Sequence, residues 1–153
     1  MLIVQTSCLN ANAVEDYHEM PMTVINECWE VGREFQICPT ILMSLIWQES
    51  RGIVSDNLTQ VTNTKWFQEG IDALEIDDLT NPYQNIRLCG WYLRKWCEET
   101  EDMGFALMAW NEGDTNAYKH YDGIHYSYYA RTIMNRSAEW EEEFYKEGEK
   151  KRP

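Results

Sequence analysis

Pro39-Thr40-Ile41-Leu42-Met43-Ser44-Leu45-Ile46-Trp47-Gln48-Glu49-Ser50-Arg51-Gly52 is the stretch around which the rest of the chain can be read. Pro39 suits the first position of a helix, where its φ is already helical and its missing N–H has no intrahelical partner to lose. Ile41, Leu42, Leu45 and Ile46 then recur at the spacing of a core-facing stripe. Gly52 follows the run, as glycine commonly does just past a helix end. The spacing predicts a short, deeply buried helix. Glu49 continues the apolar stripe. An ionised carboxylate without a partner is costly in such surroundings, so its pKa rises and the protonated form persists toward neutral pH. A general acid needs that property. The plainer alternative is a glutamate that is solvated where the stripe meets the surface.

The 153 residues suffice for one domain with a sizeable core. A hydrophobic content of 44% and an aromatic content of 13% are those of a globular chain. No apolar run reaches the length of a membrane span. The formal net charge of −13 argues against nucleic acid, whose phosphates need Lys and Arg. A neutral or locally cationic ligand, such as a glycan or a peptide stem, remains compatible. The run Glu139-Trp140-Glu141-Glu142-Glu143-Phe144 predicts a solvated helix face. The start, Met1 to Cys8, is apolar in part but has no Lys or Arg before the apolar patch, so it lacks the pattern of a signal peptide. The five cysteines, Cys8, Cys28, Cys38, Cys89 and Cys97, contain no C-x-x-C pair and no zinc spacing. Cys28 and Cys89 sit among apolar residues and predict buried free thiols. His18, His120 and His125 form neither a metal nor a triad pattern, and no cofactor is implied.

Residues 1–20 carry no clear period and predict an extended or loosely packed arm, with a single domain over 21–153. Thr23 can cap a helix from Val24 to Phe35, with Val24, Cys28, Val31 and Phe35 facing inward. Residues 53–64 are polar, β-branched and rich in Asn and Thr, which favours a loop or a short strand. Helical character returns over Lys65 to Leu74. Asn81-Pro82-Tyr83-Gln84 is a strong helix start, with Asn as cap, Pro in the first position and Gln where a capping box places it. That helix should reach Glu98 and bury Ile86, Cys89, Leu93 and Cys97, with Gly90 marking a close approach to another helix. Phe105 to Asn111 predicts a compact apolar helix, followed by a Tyr-, His- and Asp-rich loop. A last helix starts between Ile124 and Tyr128. Five or six helices and no convincing sheet make the class mainly α, with a small irregular or β-like region after the Glu49 helix.

Five segments now line up: Trp47-Gln48-Glu49-Ser50, Leu58-Thr59-Gln60-Val61, Asn81 to Leu93, Ala106 to Gly113, and Tyr129 to Met134. In this order and spacing they resemble the soluble lytic transglycosylase family, a branch of the lysozyme-like superfamily, over roughly residues 24 to 137. That family places Glu-Ser at the end of a buried helix, then Gly-Leu-Met-Gln, an Asn-Ile…Gly…Tyr-Leu helix, Ala-Tyr-Asn-Ala-Gly, and a Tyr at the start of the closing helix. The resemblance implies cleavage of the β-1,4 bond between N-acetylmuramic acid and N-acetylglucosamine in peptidoglycan glycan strands. One carboxylate protonates the glycosidic oxygen and then deprotonates the sugar's own 6-hydroxyl, which closes a 1,6-anhydro ring.

By that resemblance Glu49 is the catalytic acid and base. Ser50 supports the Glu or the sugar, Gln60 lines the cleft, Asn111 holds an acetamido group, and Tyr129 points its hydroxyl at the acid. Each has a structural alternative: a helix-end serine, a loop glutamine, a helix cap, and core packing in a cluster with Tyr126 and Tyr128. Trp66 and Trp110 are sugar-stacking candidates or core residues. The chain departs from the family pattern at Asn57 (Gly), Thr59 (Met) and Trp110 (Tyr), and at Glu112 and Asp114, where Ala and Pro are usual. Two other readings follow from the departures. One is a catalytically degenerate glycan-binding or structural module. The other is a true muramidase, with Asp56 as the second carboxylate that ordinary hydrolysis requires. The resemblance also implies work at the cell wall, outside the cell or in a phage or mobile-element product.

Overall fold

A computed structural model describes residues 16–53 and 57–150. Seven α-helices are present among the described residues: α1 (Met22–Phe35), α2 (Pro39–Ser50), α3 (Gln68–Ala73), α4 (Pro82–Thr100), α5 (Met103–Glu112), α6 (Asp114–His120) and α7 (Tyr128–Lys150). Two short 3-10 helices, Tyr17–Glu19 and Thr64–Phe67, complete the list, and no strand occurs among these residues. The fold is mainly α, and the described residues 51–53 and 57–63, between α2 and the second 3-10 helix, are irregular.

Helices α2 and α5 are buried nearly all round, which is how a helix behaves at the centre of a domain. In α2 every residue from Leu42 to Trp47 is buried, and in α5 every residue from Gly104 to Trp110. Around them α1 packs on α2 and α4, α4 packs on α5, and α7 packs on α2 and α5. Pro39 is the first residue of α2, as its type predicts. The helix ends because Arg51 takes a left-handed conformation, φ 58°, followed by Gly52 at φ 74°.

Buried polar contacts set the register of α2 against α7. Thr40 Oγ1 and Ser137 Oγ share a hydrogen bond of 2.7 Å, and Ser44 Oγ donates to the Ile133 carbonyl at 2.9 Å. The residue numbers rise on α2 as they fall on α7, so the two helices run antiparallel. At the far end of this seam Glu49 meets Tyr129.

Helix α4 begins as the sequence predicts. Asn81 caps it by accepting from Gln84 N at 3.2 Å, and Pro82 holds the first position. Gln84 does not close a capping box. Its Oε1 accepts from the N–H groups of Asp77 and Asp78, and its Nε2 donates to Asp77 Oδ1, so it braces the preceding connector instead. Gly90 is a close approach: a Cβ there would stand 2.6 Å from Val31 Cγ1 on α1. Cys28 and Cys89 are buried free thiols; Cys97 is only half-buried, and Trp96 takes the deeper place.

Three other expectations need correction. The segment after α5 is not all loop, because Asp114–His120 forms α6; seven residues are too few for a hydrophobic period to show. Thr23 is not a cap, since α1 already starts at Met22. Of the arm read over residues 1–20, Tyr17 and Met20 are buried, and the Tyr17 ring stacks on Phe144 at 4.3 Å. Residues 1–15, with Cys8, lie outside the described residues. Among the described residues no helix is long and apolar enough to cross a membrane.

The seam makes a quantitative expectation. Thr40→Val keeps shape but leaves Ser137 Oγ buried without its partner, a loss of about 1–3 kcal/mol. Adding Ser137→Ala should recover part of that loss, because both polar partners are then gone. Urea unfolding of the two single variants and the double variant reads the coupling; additive losses would contradict a paired contact.

Candidate active site

The C-terminal ends of α2 and α5 open into one cleft of about 910 Å³. Helix α2 contributes Glu49 and α5 contributes Trp110, Asn111 and Glu112. The remaining walls come from the loop Thr59 to Asn63, from Trp66 and Phe67, from Tyr92, Lys95 and Trp96 of α4, and from the start of α6.

Glu49 is half-buried, and its Oε1 accepts a 2.5 Å hydrogen bond from the Tyr129 hydroxyl. Burial lifts the Glu49 carboxyl above the ordinary glutamate range, while the Tyr129 hydrogen bond pulls it back down. The partial negative charge at the C-terminus of α2 acts in the same direction as burial. Burial and the adjacent carboxylate hold the Tyr129 phenol far above its usual value, so it stays a donor. The Cys89 thiol of α4 is pushed up by burial and then by Glu49, and stays neutral.

The loop after α2 is fixed by a polar clamp on α4. Asn85 is buried, and its Oδ1 accepts from Thr59 N at 3.1 Å and from Thr59 Oγ1 at 2.6 Å. Its Nδ2 donates to Asn57 Oδ1 and to the Leu79 carbonyl, each at 3.1 Å. Asn57 in turn closes a turn on Val61, accepting from its N–H at 2.9 Å and donating to its carbonyl at 2.8 Å. Asn57 and Thr59 are two of the departures from the family pattern, and in this chain they work as one unit with Asn85. Ser50 joins the clamp from α2 by donating to the Leu58 carbonyl at 2.9 Å.

Tyr92 does the same for the next wall. Its hydroxyl accepts from Gly70 N at 3.2 Å and donates to the Trp66 carbonyl at 3.4 Å. A Cβ on Gly70 would meet the Tyr92 ring at 2.7 Å, so the missing side chain lets α3 close on α4. Trp66 is thereby held at the rim with 70% of its surface exposed, whereas Trp110 is 8% exposed and packs against Phe67.

Of the residues singled out in the sequence, Glu49, Gln60 and Asn111 line the cleft together. Gln60 is exposed, has φ 57° and donates to the Asn57 carbonyl at 2.9 Å; Asn111 is exposed at the end of α5. Tyr129 is not among the lining residues and contacts Glu49 through its hydroxyl. Ser50 is not among them either; it ties the loop to the helix. Asp56 lies outside the described residues. Sequence reasoning missed Tyr92, Lys95 and Trp96 as cleft residues. Their spacing on α4 puts them on one face, but an aromatic stripe of that kind is indistinguishable from core in sequence. Glu69, Glu112 and Asp114 also line the cleft, and Lys95 forms an ion pair with Glu69.

Residues 57–126 match the family model of the transglycosylase SLT domain. That stretch belongs to the lysozyme-like superfamily. The match points to lytic transglycosylase activity on peptidoglycan. It contains Gln60 and Asn111, and Glu49 and Tyr129 flank it on either side. Glu49 shares the cleft with that stretch, and Tyr129 is joined to it through its hydrogen bond to Glu49. No curated protein and no solved structure matches the chain.

The raised Glu49 carboxyl has a sign that can be tested. Between its ordinary value of 4.5 and its higher folded value, the native state holds a proton the unfolded chain has released. Wild-type stability therefore falls as pH rises through that window. Glu49→Gln removes the titration and leaves an amide oxygen for Tyr129. Its melting temperature should exceed wild type at about pH 7.5, and the gap should close toward about pH 4. An offset that stays constant over this range would contradict the raised carboxyl.

Proposed function

We propose that the chain is a peptidoglycan lytic transglycosylase that cuts the N-acetylmuramic acid–β-1,4–N-acetylglucosamine bond and leaves a 1,6-anhydro end. The observation that carries this reading is the Glu49–Tyr129 pair at the head of a cleft whose other walls fall within the SLT match. Protonated Glu49 gives its proton to the glycosidic oxygen as the C1–O bond breaks. The resulting carboxylate takes the proton from the 6-hydroxyl of the same muramic acid, whose oxygen bonds to C1. Glu49 ends the cycle protonated. The nucleophile is part of the substrate and acts at high effective concentration once held, so neither water nor a second carboxylate is needed.

Tyr129 supports the anionic half of this cycle. Its hydroxyl bonds to the carboxylate and stabilises it just when it must act as base. Asn111 offers an amide to an acetamido group, Gln60 offers one from the opposite loop, and the exposed Trp66 ring suits the face of a sugar. In this reading Ser50 acts on the substrate only through the loop it anchors. The enzyme would work at the cell wall, outside the cell or carried by a phage or mobile element.

Digestion of purified peptidoglycan by wild type, Glu49→Gln and Tyr129→Phe tests the reading, with muropeptides analysed by mass spectrometry. Anhydro ends from wild type, none from Glu49→Gln, and a kcat about tenfold to a hundredfold lower in Tyr129→Phe are expected. Reducing ends would instead support hydrolysis with Asp56 as second carboxylate. Glycan pull-down without release by any variant would make the domain a binding module.

A further inference from the structure

We propose that Asp102 is a positioning residue for the Glu49–Tyr129 pair, acting as the clasp that holds the first turn of α7. The inference rests on the reading of that pair as the reacting one.

The two oxygens of Asp102 do different work. Oδ1 caps α5, accepting from Gly104 N at 2.8 Å and from Phe105 N at 3.3 Å. Oδ2 accepts from the hydroxyls of Tyr121 at 2.8 Å and Tyr126 at 2.9 Å. These tyrosines are the two ends of one loop, so both ends hang on a single carboxylate oxygen. Inside the loop, Gly123 has φ 79°, and Asp122 accepts from the N–H groups of Ile124 and His125 and pairs with the His125 ring. The Tyr126 ring lies directly over Gly104, where a Cβ would stand 2.3 Å from its Cε1. No other residue type at 104 leaves room for this approach.

The loop leads straight into α7. Ser127 Oγ accepts from Ala130 N at 3.2 Å, and Tyr129 is the second helical residue. First turns are where helices fray, because their N–H groups lack intrahelical partners. The α2–α7 seam holds α7 at Ile133 and Ser137, beyond that turn. Asp102, through Tyr126, fixes the residue just before the Ser127 cap and so keeps the Tyr129 hydroxyl on Glu49.

Asp102→Asn separates the two jobs. Asparagine caps a helix as well as aspartate, while its amide NH₂ in the Oδ2 position accepts from neither tyrosine and can only donate to a hydroxyl oxygen, a weaker, neutral contact. Tyr126→Phe removes the clasp from the other side and leaves the cap untouched. The Glu49 carboxyl resonance is followed by ¹³C NMR against pH, assigned by its absence in Glu49→Gln. The groups facing Glu49 from neighbouring elements are Tyr129 of α7 and Cys89 of α4, both held protonated in this range; Glu69, Glu112, Asp114 and Lys95 share the cleft.

Since the Tyr129 bond pulls the Glu49 midpoint down, both clasp variants should move that midpoint up. Neither should shift it further in a Tyr129→Phe background. On peptidoglycan, kcat should fall about threefold to tenfold, the range for weakening one hydrogen bond, with KM changed less. An unchanged midpoint in both folded variants overturns the proposal, as does a shift that persists undiminished without the Tyr129 hydroxyl. The titration does not depend on turnover. A wild type that releases no fragments would therefore defeat the transglycosylase reading while the midpoints still decide the role of Asp102.

Discussion

The antiparallel register of α2 and α7 is the constraint on which the cleft depends. An apolar seam between two helices resists separation but tolerates small slides, because one aliphatic contact replaces another at little cost. The Thr40–Ser137 and Ser44–Ile133 contacts remove that freedom. A slip of one residue would strand buried hydroxyls, at about 1–3 kcal/mol for each one left unpaired. Two turns of the seam thus carry the positional information that brings Tyr129 to Glu49. Glu49 can be half-buried without being stranded only because this register supplies it with a donor.

The cleft walls depend on α4 in the same way. Asn85 and Tyr92 lie two turns apart on that helix and hold two walls of the cleft, the loop at Thr59 and the short helices at Trp66 and Gly70. The first has no regular structure of its own and the second only short helices, so each borrows rigidity from a helix buried against α1 and α5. Gly90 permits the close approach to α1 that keeps α4 seated. The replacements at Asn57 and Thr59 are not signs of a decayed wall. They meet Asn85 as acceptor and donors, and an aliphatic residue at position 59 would leave the buried Asn85 oxygen short of a partner.

What could be read from the chain was what local chemistry decides. Pro39, the Asn81-Pro82 start and Gly90 each state a backbone requirement that holds wherever the residue lies, and each meant what it usually means. Glu49 stood out because a carboxylate interrupts an apolar stripe. What escaped was decided by partners distant in sequence. Gln84 has the spacing of a capping box, yet the N–H groups of Asp77 and Asp78 compete for it successfully. Nothing within Tyr126-Ser127-Tyr128-Tyr129 tells which ring reaches Glu49. The structure separates them by environment: Tyr126 goes to Asp102, Tyr128 is 70% exposed, and Tyr129 turns inward to Glu49. The family resemblance singled out Tyr129, and only the fold explains the choice.

The electrostatics of the cleft bear on the order of events proposed for Glu49. An acid that becomes a base within one turnover needs a pKa near the working pH, and two opposed influences set it here. Burial and the α2 C-terminus favour the protonated form, while the Tyr129 hydroxyl favours the anion. The cleft also holds Glu69, Glu112 and Asp114, and the Lys95 cation is engaged by Glu69. Charges separated by solvent in an open cleft are screened by salt, whereas burial and the Tyr129 bond act on Glu49 directly. The balance at Glu49 is therefore governed mainly by the short-range pair. A free carboxylate excludes itself from the first step of the cycle, and an unassisted buried one would be slow to re-form for the second. One donor, held by helix register on one side and by the α5–loop contact on the other, is enough to reconcile the two demands.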